Sequence, residues 1–131
     1  MIRDCRDFNK ALDYAYEDWK KVQIAGKEEP RTFQEGTEII CNAMKILLIS
    51  KNHKYGKKNI EKFGHKGIFM RKYDKECRLE ESIFNGVDLG EEGLLETWAD
   101  NAGYSIVAML LEKDWYKLPV EDVQSEIALN S

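Results

Sequence analysis

The chain has 131 residues, 20 Lys/Arg against 24 Asp/Glu, and a formal charge of −4 at pH 7. That length suits a single domain over 1–131 that buries a core without disulfides, and 43% hydrophobic residues exclude a disordered chain. Three widely spaced cysteines (Cys5, Cys41, Cys77) with no Cys-x-x-Cys pair exclude a disulfide framework and a zinc ribbon. No apolar run can span a bilayer and the N-terminus lacks a signal pattern, so the expected setting is the cytoplasm, with no membrane partner.

A first helix is predicted over 7–26. Phe8, Ala11, Leu12, Ala15, Trp19 and Val22 form one stripe, Asp7 caps the start and Gly26 ends it. A second is predicted from Phe33 or Thr37 to Ser50. Its apolar residues cover more than one face, which reads as a central helix buried on several sides.

The least generic stretch follows, from Asn52 to Arg78. It carries three glycines (Gly56, Gly64, Gly67), both histidines and a run of lysines. From Lys45 to Arg78 eleven basic residues face three acids, a local +8 in a chain of −4. The expectation is a basic loop containing at most a helical turn over 59–63, then a third helix over 67–84 closed by Asn85-Gly86. On that helix Arg71, Asp74, Lys75 and Arg78 lie at i, i+3, i+4 and i+7, hence on one stripe. Three cations around one carboxylate suit an anionic ligand. Ile68, Phe69, Tyr73, Cys77, Leu79 and Ile83 supply its apolar contacts.

An acidic connector over 87–93 leads to a fourth helix, about 93–114. Glu96, Asp100, Asn101 and Tyr104 lie in its first half, and its second half is almost wholly apolar. Pro119 breaks the chain before a short terminal helix at 120–128. No segment alternates with period two, so the fold class is all-α: a four-helix bundle with a short C-terminal helix.

The motif order Lys51-Asn52-His53-x-Tyr55-Gly56, Asn59, Phe63-Gly64-x-x-Gly67-Ile68, Arg71-x-x-Asp74-Lys75-x-x-Arg78-Leu79 and Thr97-x-x-Asp100-x-Ala102-x-Tyr104 resembles the nucleotide modification associated domain 1 family. These are small helical proteins of bacteriophages and prophages, and the likeness covers about residues 38–111. It implies a nucleotide substrate class in nucleotide metabolism or DNA-base modification, and a MazG-like layout akin to all-α nucleoside triphosphate pyrophosphohydrolases. Those hold magnesium with Glu-x-x-Glu and Glu-x-x-Asp. Glu35-x-x-Glu38 has the first spacing, and Glu96 to Asp100 is one residue longer than the second.

The resulting expectation is a nucleotide pocket between helices three and four. Lys54, Arg71, Lys75 and Arg78 contact phosphate, Tyr55 and Tyr104 flank base or sugar, and Asn52, Asn59 and Asn101 read polar edges. In a hydrolase, Asp74 and Asp100, with Glu96, hold Mg2+ and activate water. Two rivals remain: metal-free capture of a nucleotide or cyclic-nucleotide signal in phage counter-defence, and an interaction module whose basic loop touches DNA or an acidic protein. A homodimer or higher homo-oligomer is expected from surplus apolar faces.

Overall fold

A computed structural model describes residues 2–23, 28–91 and 93–121. The protein is all-α, with α1 (Phe8–Lys21), α2 (Phe33–Tyr55), α3 (Lys58–Asn85) and α4 (Gly93–Glu112) and no strand among the described residues. The predicted ends at Gly26 and the terminal helix past residue 121 lie outside those residues. The chain forms two compact units, one built on residues up to Lys54 and the other on Tyr55–Pro119.

In the first unit Asp7 accepts a hydrogen bond from the Lys10 amide at 2.9 Å and so caps α1. Phe8, Ala11, Ala15 and Trp19 are buried as the stripe requires. Val22 is the exception: the helix stops at Lys21, which leaves its side chain exposed. Thr32 caps α2 by accepting from the Glu35 amide at 3.1 Å, so Glu35 is a first-turn acid that complements the helix dipole. The expectation of a helix buried on several sides holds in part, since Ile46, Leu48 and Ile49 are half-buried off the main face. Ile39, Ala43, Met44, Leu47 and Ser50 make one buried face, and Ile40 is exposed.

The N-terminal segment ties the two helices. The Arg3 guanidinium pairs with Asp18 at 2.7 Å and lies over the Tyr14 ring. Two residues on, Cys5 and Ser50 bond reciprocally: the Cys5 amide donates to Ser50 Oγ at 3.1 Å, and that hydroxyl donates to the Cys5 carbonyl at 3.2 Å. Burial raises the Cys5 thiol pKa, and the contact with Ser50 offsets part of the rise. All three cysteines are free thiols.

In the second unit α3 and α4 pack as an antiparallel pair. Lys75 meets Asp100 near the middle, and His65 meets Glu112 at one end. Gly86, at φ +70°, ends α3 as predicted. Its amide bonds to the Ser82 carbonyl and that of Val87 to Glu81, which satisfies two terminal carbonyls. Among the described residues no helix is long and apolar enough to cross a membrane.

The stretch 52–66 departs most from expectation. Residues 52–55 are the last turn of α2, and α3 begins at Lys58, so the basic loop shrinks to Gly56 and Lys57. Gly64 interrupts α3, so the expected helical turn over 59–63 stands as a short segment that meets the rest of the helix at a kink. Gly64 sits at φ +58°, ψ −144°, a region open to glycine almost alone, and the helix kinks there. One turn later, a Cβ on Gly67 would lie 2.7 Å from Phe63 Cβ, so the fold at the kink needs glycine at both positions.

Candidate functional site

The kink at Gly64 positions the first part of the candidate site. Asn59 and Arg71 are twelve residues apart, about 18 Å along a straight helix. Yet Arg71 Nη2 donates to Asn59 Oδ1 at 2.5 Å. Only a fold at Gly64 returns the 58–63 turn to the side of α3 on which Arg71 stands. The same turn is held to the segment after α4, where Lys57 Nζ donates to the Leu118 carbonyl at 2.7 Å. Tyr116 is buried beside it, and burial raises its phenol pKa. The Glu61 carboxylate adds to the rise and the Arg71 cation opposes it.

Further along the stripe, Lys75 Nζ lies 3.2 Å from Asp100 Oδ2, with the two side chains only 14% and 23% exposed. This pair crosses from α3 to α4 and is the most enclosed ion pair described. Arg78 Nε and Asp74 Oδ2 are 3.6 Å apart on the solvent side of α3. One step back, Lys72 Nζ bonds Glu76 at 2.6 Å, and that bond and charge hold the Glu76 carboxyl below its ordinary pKa. The sequence reading passed over Lys72 and Glu76. Their i, i+4 spacing was the available signal.

On α4 the burial of polar groups continues the layer. Glu96, Thr97 and Asn101 are buried, and Thr97 Oγ1 donates back to the Gly93 carbonyl at 2.8 Å. Asn101 Nδ2 is enclosed and, among the described residues, has no hydrogen-bonding partner of ordinary geometry. It still lies close enough to Glu76 to favour that carboxylate slightly. An unsatisfied buried amide hydrogen is costly, so its orientation matters to any ligand that could accept from it.

The structure therefore gathers part of the predicted set. Asn59, Arg71, Asp74, Lys75, Arg78, Asp100 and Asn101 are grouped along α3 and the facing part of α4. Asn52 and Lys54 belong to the other unit, where Lys54 pairs with Asp4. Tyr55 is 77% exposed, at the end of α2. Tyr104, half-buried, lines a separate cleft of ≈ 660 Å³ with Phe69, Met70, Ser105 and Ala108, and none of the stripe residues lines that cleft.

The lysines of the expected basic loop are not gathered on one site. Lys57 is spent on a carbonyl, Lys62 lies over the Phe63 ring at 5.5 Å, and Lys66 borders the cleft. His65 pairs with Glu112 at 3.2 Å. For the metal the donor set does not fit. Among the described residues no group of three or more His, Cys, Asp or Glu side chains is placed to hold an ion, so Asp74, Glu96 and Asp100 do not converge. Asp74 turns to Arg78 and Asp100 to Lys75. An ammonium 3.2 Å from a would-be ligand oxygen repels a dication.

Comparison with known proteins adds no relative: no family model, no curated protein and no solved structure matches the chain.

Proposed function

We propose that the second unit binds a nucleotide or another phosphate-bearing small molecule along the α3–α4 polar layer, without a metal. One observation carries this reading: Lys75, half-buried and bound to Asp100, is flanked on its stripe by Arg71 and Arg78, and the residue after Asp100 is Asn101, with its unsatisfied amide. A phosphate oxygen could accept from the cations, and a base or sugar oxygen from Asn101. The motif order that resembles nucleotide modification associated proteins runs through these residues, which supports a nucleotide over other anions.

Capture of a nucleotide or cyclic-nucleotide signal is preferred to magnesium-dependent pyrophosphohydrolysis. Of the carboxylates that hydrolysis would assign to a metal, Asp74 and Asp100 are engaged with cations, and the three with Glu96 do not converge. The protein acts as a homo-oligomer in this reading, since both helices of the unit leave large apolar residues exposed.

The test is a thermal-shift screen of nucleoside mono-, di- and triphosphates and cyclic dinucleotides, each with magnesium and with chelator. A ligand at a hundred times its Kd stabilises by about 2.7 kcal/mol, which raises Tm by several degrees. The expected result is a shift that survives chelator and is lost in Lys75→Ala and Arg78→Ala. Pyrophosphate release that requires magnesium and disappears in Asp100→Asn would replace capture with hydrolysis. No shift with any phosphate ligand would end the nucleotide reading.

A further inference from the structure

The second unit turns its apolar residues the wrong way for a finished surface. On α4 the buried positions include Glu96, Thr97 and Asn101, whereas Leu95, Trp98 and Met109 are 44–60% exposed. Leu95, Trp98, Ala102, Ser105 and Met109 follow one another at steps of three, four, three and four. That is the spacing of a seam that receives another helix. On α3 the buried residues are Ile68 and Leu79, while Phe69, Met70 and Tyr73 are 60–72% exposed on a different side of the helix. Phe69 and Met70 of the exposed α3 set border the ≈ 660 Å³ cleft, and Ser105 of the α4 seam borders it from the other helix.

We infer that a second copy of this chain docks here across a two-fold axis passing through Ala102, with the indole of Trp98 of the partner subunit seated in the cleft. The register fits self-pairing. In an antiparallel α4–α4 contact centred on Ala102, Leu95 meets Met109 of the partner subunit, seven residues on either side of the axis. Trp98 stands four residues before Ala102 and Ser105 three after it. The large side chain of one copy therefore arrives over the small residue and cleft of the other. A protruding group on one side of an axis and a hollow at the matching distance on the other make an isologous contact. Ala102 at the crossing point lets the helices approach.

Area and rim agree with this occupant. Six exposed residues (Phe69, Met70, Tyr73, Leu95, Trp98, Met109) at on the order of 200 Å² each and roughly 60% exposure offer roughly 700 Å². A stable interface needs about 800 Å² per partner, so little more is required than the flanking Leu94 and Phe84 supply. Around the cleft, Lys72–Glu76 and His65–Glu112 form a charged rim, the usual border of such a patch. This inference rests on the homo-oligomer part of the proposed function and is independent of the ligand.

Sedimentation and light scattering of the full chain at micromolar concentration test it. The wild type is expected at twice the 15.3 kDa of one chain, and Trp98→Glu should raise the dimer dissociation constant about a hundredfold or more with an unchanged helical circular dichroism spectrum. In a Cys41→Ser, Cys77→Ala background, Ala102→Cys should form an intermolecular disulfide under mild oxidant, while Lys62→Cys should not. A monomeric wild type overturns the proposal, whether its cleft is empty, takes a small ligand or takes another protein. A dimer that persists in Trp98→Glu and fails to cross-link at 102 overturns this surface and leaves oligomerisation standing. The nucleotide screen on wild type and Trp98→Glu fails or succeeds separately, so loss of the ligand reading is distinguishable from loss of the interface.

Discussion

Replacing Gly64 with L-alanine should destabilise the second unit by about 1–3 kcal/mol, the cost of holding an L-residue in a sparsely populated backbone region. No steric clash contributes, because a Cβ added at Gly64 meets nothing within 4 Å. The strain is purely in the backbone: φ +58° and ψ −144° mirror the extended polyproline region, where L-residues are comfortable at negative φ. A D-residue is therefore relaxed in the same place. Semi-synthetic protein with D-alanine at 64 should be more stable than wild type by about 0.4–1 kcal/mol, through reduced unfolded-state entropy. Urea titration gives both midpoints at constant slope. If the L-variant relieves strain by straightening α3, Asn59 leaves Arg71 and Tyr116 is uncovered. Its phenol pKa then falls back toward the ordinary value in an absorbance titration against Tyr116→Phe. Equal stabilities for the L- and D-alanine proteins would refute the account of the kink.

Other consequences follow from single contacts. Gly67→Ala should cost about 1–3 kcal/mol because its Cβ would stand 2.7 Å from Phe63 Cβ, and Phe63→Gly, which removes that Cβ, should relieve part of that in a double-mutant cycle where Phe63→Ala does not. Lys75→Ala leaves Asp100 three-quarters enclosed beside a lost cation and should cost about 1–3 kcal/mol in urea titration, against less than about 1 kcal/mol for exposed Arg78→Ala. With a disulfide-exchange reagent at neutral pH, exposed Cys41 should react first, Cys77 later and buried Cys5 only on unfolding. The pH dependence has two signs. The folded thiol of Cys5 and phenol of Tyr116 have raised pKa values, so their contribution is full below the unfolded values and is lost as pH rises through the folded ones. Glu76 is depressed, so its contribution is present above the unfolded carboxyl pKa and is lost as pH falls through the folded one. Denaturation midpoints of Cys5→Ala and Glu76→Gln against pH check the alkaline and acid limbs respectively.

Much of the local structure was legible because it depends on neighbours in the chain. Asp7 announced the start of α1, Gly86 the end of α3, and the spacing of Arg71, Asp74, Lys75 and Arg78 their common stripe. Residues 52–55 continue α2 where a loop was expected, because their polar side chains carry no apolar periodicity, whereas the helical turn over 59–63 and the interruption at Gly64 were legible. What only the structure shows is the direction of the break: Gly64, at φ +58° and ψ −144°, turns the 58–63 segment back toward Arg71. The lysines of that stretch likewise looked like one cluster in sequence. Their partners are Asp4, the Leu118 carbonyl and the Phe63 ring, which lie at varied sequence distances and send them in different directions.

Sequence periodicity determined that the second half of α4 is apolar on more than one side, and that acids and amides enter that helix at one level. Which side would be covered was beyond it. Ile68 and Phe69 are neighbours of similar hydrophobicity, yet the first is buried against the paired helix and the second stands open. Tertiary pairing decides this, because one register of α3 against α4 brings Lys75 to Asp100 and His65 to Glu112, and that rotation fixes which stripe faces inward. A helix can satisfy its own backbone hydrogen bonds at any rotation about its axis, so only contact with a second helix selects one.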